Sequence, residues 1–134
     1  MEFGDLTDKG ARSDGSERNP DGQMGLMIEW SWRIERPRSV LCGSFSEESK
    51  WPNAFRQMLG AKVTDAETFG RLPEISVGLS NGLHVVSFMT AGGQPVWTLF
   101  DRRVPDTSWL TVRRGRVVEE RNSQFPRHTG ATGS

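Results

Sequence analysis

The side chains of this chain that could do chemistry are few: His84, Cys42 and a scatter of carboxylates. His84 is expected at the end of an apolar strand face, beside Leu79. A histidine there could act as a general base, with Asp65, Glu67 or Glu74 as its carboxylate. Nothing in their spacing brings these groups together. Cys42, the one cysteine, would need an activating partner and exposure to serve as a nucleophile. Within a strand pattern it reads instead as a small buried apolar residue. Two histidines and one cysteine do not build a structural zinc site, and one cysteine forms no internal disulfide. Ala91-Gly92-Gly93-Gln94 lacks the Gly-x-x-x-x-Gly-Lys-Ser/Thr pattern that cradles phosphate. No Gly-x-Ser-x-Gly elbow and no His-Glu-x-x-His pair occurs. No catalytic residue, cofactor or metal is assigned from these residues.

A second pattern concerns binding. The chain has five tryptophans and no tyrosine. Trp97 precedes Asp101-Arg102-Arg103, and Trp109 precedes Arg113-Arg114-Gly115-Arg116. Tryptophan and arginine are the side chains that dominate protein interfaces, and they also suit single-stranded nucleic acid. Trp97, Arg102, Arg103, Trp109, Arg113 and Arg114 are therefore the candidate partner-binding residues. The competing arrangement packs both rings into a sheet, with the arginine stems covering them. Net charge is zero, yet residues 1–25 carry an acidic excess and residues 101–134 a basic one. Fourteen of the seventeen basic residues are arginine, which fits an anion-facing C-terminal region or simply an arginine-rich codon bias. A neutral chain counts against nucleic acid as the partner.

The elements that must position these residues follow from periodicity. Residues 1–25 are polar and unpatterned, and are expected to form a disordered tail. Met24 and Met27 offer alternative starts just before the first patterned residue. From Leu26 to Glu35, Leu26, Ile28, Trp30, Trp32 and Ile34 alternate with mostly polar residues, which predicts one long half-buried strand. Pro37 breaks it, and a second strand follows over Ser39–Phe45. A helix is expected within Ser46–Leu59, beginning regularly near Lys50 or Trp51 because Pro52 suits only a first turn. Ser44 or Ser46 supplies its N-terminal cap. Its buried face is Trp51, Ala54, Phe55, Met58 and Leu59, and Gly60 ends it. Ala61–Phe69 reads as an edge strand carrying Asp65 and Glu67.

The strongest local signal is Asn81-Gly82 between two apolar runs. A two-residue type I′ turn there pairs Leu79 with His84, Val77 with Val86 and Ile75 with Phe88. It places all of these on one face, His84 at its end. Pro95–Phe100 forms the next strand, with Trp97 and Leu99 on one face. A second hairpin turns at Arg114-Gly115 and pairs Val112 with Val117. Residues 121–134 return to a flexible composition.

The expected fold is α+β. About seven or eight short strands form a strongly bent, mostly antiparallel sheet or half-open barrel over residues 26–120, with one helix inserted after the second strand. No apolar run reaches the length of a membrane helix, and a cytoplasmic location is the default. The leading functional reading is a non-enzymatic binding or accessory module acting on a protein partner, or on itself as a homodimer. The first alternative is a small-molecule binder or enzyme using a cavity between sheet and helix, lined by Trp30, Trp32, Phe55, Met58, His84 and Phe88. The second is a single-stranded nucleic-acid binder.

Overall fold

The computed structural model describes residues 1–7, 21–103 and 106–121. Ten strands lie among them: β1 Glu2–Thr7, β2 Asp21–Ile28, β3 Trp32–Glu35, β4 Val40–Gly43, β5 Val63–Phe69, β6 Glu74–Leu79, β7 His84–Ser87, β8 Trp97–Asp101, β9 Ser108–Arg113 and β10 Arg116–Arg121. One α-helix, α1, spans Trp51–Arg56, and a 3-10 turn at Glu48–Lys50 leads into it. The strands are antiparallel throughout, as short connections dictate, but they form two sheets. The orders are β1-β2-β8-β9-β10 and β4-β3-β7-β6-β5. This replaces the expected single bent sheet or half-open barrel.

The division lies inside the stretch that reads as one strand. Leu26–Glu35 breaks at residues 29–31. The Glu29 N–H still donates to the Val96 carbonyl at 3.0 Å, holding the first sheet. Two residues later the Ser31 carbonyl accepts from the Phe88 N–H at 2.9 Å, opening the second. Alternation passes through the corner undisturbed, because both sheets need the same side of the chain inward. Leu26, Trp32 and Ile34 are buried accordingly, while Trp30 sits on the corner, 42% exposed.

Residues 1–7 and 21–25 are not a tail. β1 pairs with β2, and Phe3 is wholly buried in the core. A bulge after Phe3 leaves Gly4 at φ +79°, and the Gly4 N–H reaches the Ala61 carbonyl at 2.6 Å. One phenylalanine among polar residues leaves no periodic trace, so composition alone misread the segment. The remainder of the expected N-terminal tail, residues 8–20, and of the C-terminal one, 122–134, lies outside the described residues.

The Asn81-Gly82 hairpin forms in a different register. The observed pairs are Ser76–Val86, Val77–Val85 and Gly78–His84. The Gly82 N–H donates to the Leu79 carbonyl at 3.0 Å, and only Gly82 of the turn has positive φ, +87°. The loop is therefore three residues, Ser80–Gly82: a tight turn followed by a glycine bulge. Tertiary hydrogen bonds favour it. Asn81 Nδ2 donates to the Gln57 carbonyl at 2.9 Å, and Asn81 Oδ1 accepts from the Leu83 N–H at 3.1 Å. Ser80 and Lys62 bind each other through backbone and hydroxyl, 2.8 and 2.9 Å. A one-residue slip turns the whole of β7 over. Val85 and Ser87 face the core, while His84, Val86 and Phe88 face outward. The Val85-Val86 pair tolerates either choice.

Ser87 is thereby buried, and its hydroxyl is fully used. It accepts from the Ile75 N–H at 2.9 Å and donates to Glu74 Oε1 at 2.6 Å, whose other oxygen accepts from the Met89 N–H at 2.8 Å. The Arg114-Gly115 turn follows expectation, with φ of 53° and 77° and Val112 opposite Val117. β5 lies at a sheet edge, also as expected.

The helix begins at Trp51, with Pro52 in its first turn, and is shorter than expected. Ala54 and Met58 are buried, but Leu59 is exposed in the turn after the helix. No side chain caps it. The Ser44 hydroxyl instead accepts from the Trp32 N–H at 3.1 Å, and the Ser46 hydroxyl from the Gly43 N–H at 3.0 Å. Trp51 and Phe55 close on Trp32 with ring centroids 5.2 and 5.5 Å away. Both sheets and the helix contribute to one apolar core.

Candidate functional site

Residues directly opposite one another in a sheet point to the same face. In the first sheet the pairs Glu2–Gly25, Gly25–Phe100, Phe100–Trp109 and Trp109–Glu120 form an unbroken row across all five strands. This row lies on the face away from the core, because Leu99, one residue along β8, is buried inside. Thr98 and Thr111 pair on the same face two residues along from the aromatic pair, hydroxyl to hydroxyl at 2.9 Å.

Each end of the row is an ion pair. Arg102 Nη1 donates to Glu2 Oε1 at 2.7 Å and to the Gly22 carbonyl at 3.1 Å, and the Gly22 N–H donates to the same carboxylate at 2.8 Å. The guanidinium lies where Gly25 has no side chain, since a Cβ there would stand 3.0 Å from Arg102 Nη1. It sits 5.4 Å from the centroid of the Phe100 ring, a cation–π contact. Phe100 and Trp109 follow, centroids 6.1 Å apart and tilted by 51°. At the far end Glu120 accepts from Trp109 Nε1 at 2.7 Å and from Arg113 Nη2 at 2.9 Å. Arg113 first and Trp109 second hold the Glu120 carboxyl below the usual carboxylate range. The same pairing raises Arg113 further. Exposed Met27 borders the row, and a cleft of about 350 Å³ opens between Met27, Ile28, Trp32, Phe100 and Arg102.

Of the six candidate binding residues, the fold brings Arg102, Trp109 and Arg113 together on this face. Trp97 is on the opposite face, with no exposed surface and its Nε1 donating to the Pro73 carbonyl at 3.0 Å. It is a core residue. Arg103 turns back to Asp101, 2.9 Å away, and that hydrogen bond lowers the Asp101 carboxyl. Arg114 occupies the β9–β10 turn. Sequence reasoning missed Phe100 and the two acids. Phe100 stands one residue before the charged stretch that drew attention, but only pairing between strands places it beside Trp109.

The six residues expected to line a cavity do not share one. Trp32, Phe55 and Met58 fill the space between sheet and helix, Met58 with no exposure at all. Trp30 is on the corner. Phe88 faces outward under Arg33, 5.5 Å from the guanidinium carbon. His84 is exposed on that same outer face, paired with Glu35 on one side and Gly78 on the other. Here the fold does what spacing did not indicate. Asp65 pairs with Gly78 from β5, and its carboxylate and His84 both lean over the vacant glycine position. Among the described residues, no group of three or more His, Cys, Asp or Glu side chains is arranged to hold a metal ion. Cys42 is buried. No described helix is long and apolar enough to cross a membrane.

No family model, no curated protein and no solved structure matches this chain.

Proposed function

We propose that the protein is a non-enzymatic binding module whose partner-facing surface is the outer face of the first sheet. The observation that supports this is the Glu2–Arg102–Phe100–Trp109–Glu120 row. It presents two aromatic rings flanked by arginines on regular strands, and each arginine is already fixed by a carboxylate. Tryptophan and arginine side chains held in place before binding lose little entropy when a partner arrives. The cleft beside Phe100 accepts one apolar side chain of that partner. The fixed carboxylates also bear on the alternatives. They neutralise Arg102 and Arg113 locally, which disfavours phosphate as the ligand.

The face is tested by placing a photo-cross-linking phenylalanine analogue at Phe100, and in a separate chain at Phe88 on the opposite sheet. Each full-length chain is irradiated in cells that express it. Discrete protein adducts from position 100 and none from position 88 support the reading. Equal labelling at both positions, or labelling at 88 alone, overturns it.

A further inference from the structure

We infer that Asn81 is a site of spontaneous deamidation that the fold holds in check. Three hydrogen bonds of the closed β6–β7 loop block the reaction, which proceeds when the loop opens. Its products no longer close that loop. The site lies on the second sheet, apart from the binding face.

The chemistry is that of an asparagine followed by a glycine, a heat-labile pair. The Gly82 backbone nitrogen loses its proton and attacks Cγ of the Asn81 side chain. The Cγ–Nδ2 bond breaks, ammonia leaves, and a five-membered succinimide ring closes. Water then opens the ring at one of its two carbonyls. Opening at Cγ leaves aspartate. Opening at the main-chain carbon leaves isoaspartate, with the chain running through the former side chain. One water is consumed, one ammonia is released, and nothing is oxidised or reduced. Glycine has no Cβ to hinder the attack, and the space where a Cβ of Gly82 would stand is empty. Ser80, Asn81 and Gly82 are exposed, so water reaches the site.

Burial therefore does not protect this site; hydrogen bonds do. The attacking group is held, because the Gly82 N–H donates to the Leu79 carbonyl at 3.0 Å. That bond must break before the nitrogen can turn to Cγ. The attacked group is held at both ends. Asn81 Nδ2 donates to the Gln57 carbonyl at 2.9 Å, and Oδ1 accepts from the Leu83 N–H at 3.1 Å. The side-chain amide cannot rotate without losing both. Contacts that keep two reacting atoms from aligning slow their reaction. Opening of the loop removes all three, and local opening costs less than unfolding the chain.

The products undo the clamp. In aspartate an oxygen replaces Nδ2, so two acceptors face each other at Gln57 with no proton between them. In isoaspartate the backbone is one carbon longer within a tight loop. That loop fixes the register that buries Val85 and Ser87, so its loss weakens the hairpin.

The test incubates the full chain at mildly alkaline pH. Trypsin releases Leu72–Arg102, in which Asn81 is the sole asparagine, and mass spectrometry reads the conversion of amide to acid. The isolated tryptic peptide, incubated in the same buffer, gives the rate without the fold. Conversion at least tenfold slower in the folded chain supports the inference, and a smaller difference overturns it. Ser80→Ala removes the anchor to the Lys62 N–H and leaves the clamp on Asn81 in place. Below its melting temperature this variant should deamidate faster than the parent, and an equal rate overturns control by loop opening. The deamidated chain is then separated by ion exchange and melted. A lower midpoint than the parent supports the broken clamp, and an equal midpoint overturns it.

Discussion

Ser87 shows how one polar side chain is accommodated in the core by the register that buries it. Its hydroxyl sits in the core only because Glu74 and the Ile75 N–H receive it. Ser87→Ala removes both partners at once and leaves a buried N–H unsatisfied, at a cost of about 1–3 kcal/mol. Chemical denaturation should show that loss with an unchanged denaturant slope. Glu120 makes a prediction about pH. Its folded-state pKa lies below its unfolded value because Arg113 and Trp109 stabilise the carboxylate. Its contribution is therefore full above the ordinary carboxylate pKa of about 4.3 and is lost as pH falls through the lower folded value. Glu120→Gln should lower the melting temperature by a constant amount from neutral pH down to about pH 5, and the difference from the parent should shrink as pH falls through and below the ordinary carboxylate range. A difference that stays unchanged through that fall would show that the pairing does not stabilise the carboxylate. His84 and Asp65 illustrate the opposite limit. Two groups that could do chemistry meet over Gly78, yet both side chains are exposed to solvent there.

Elements behave as their hydrogen bonds demand more than as their sequences suggest. The Gly82 position has φ +87° and open space around it, so a substitution there meets strain but no clash. Gly82→Ala should cost about 1–2 kcal/mol, the penalty of a left-handed residue with a Cβ. Gly25→Ala separates site from fold, because its added methyl meets only the movable ends of Arg102 and Glu2. Thermal stability should fall by about 1 kcal/mol, since the atoms nearest the methyl are the ends of flexible side chains. The Arg102–Phe100 contact should be lost, visible as a shift of the Phe100 ring resonances. The two hairpins explain how much of the site was legible. Val112–Val117 pairing was readable because a two-residue turn leaves one register available. The Asn81-Gly82 register was not, because the deciding bonds run to Gln57 and Lys62, about twenty residues back in the chain. Arg102, Trp109 and Arg113 were likewise readable as residue types beside one another. Phe100 and Glu120 became part of the site only through strand pairing.

At the scale of the molecule, Phe3 ties the chain's first residues to a core shared by both sheets. Phe3→Ala should cost about 3–5 kcal/mol, the range for emptying a buried aromatic site. A chain beginning at Met24 should unfold at a clearly lower temperature than the full one, since it loses β1 and Phe3 together. The sequence by itself determined the antiparallel character, the apolar faces of β2, β3 and β8, the start of α1 at its proline, and the turn at Arg114-Gly115. All of these rest on local periodicity or on the torsional demands of single residues, which act over a few positions. Tertiary structure alone decided that the strand from Leu26 to Glu35 serves two sheets, that β7 turns His84 outward, that Trp97 is core, and that β1 joins the first sheet. Each of these is a choice between locally equivalent arrangements. Alternation reads the same on both sides of a corner, Val85-Val86 fits either face, and one phenylalanine carries no period. The choice falls to hydrogen bonds and burial between residues far apart in the chain, which local pattern does not contain.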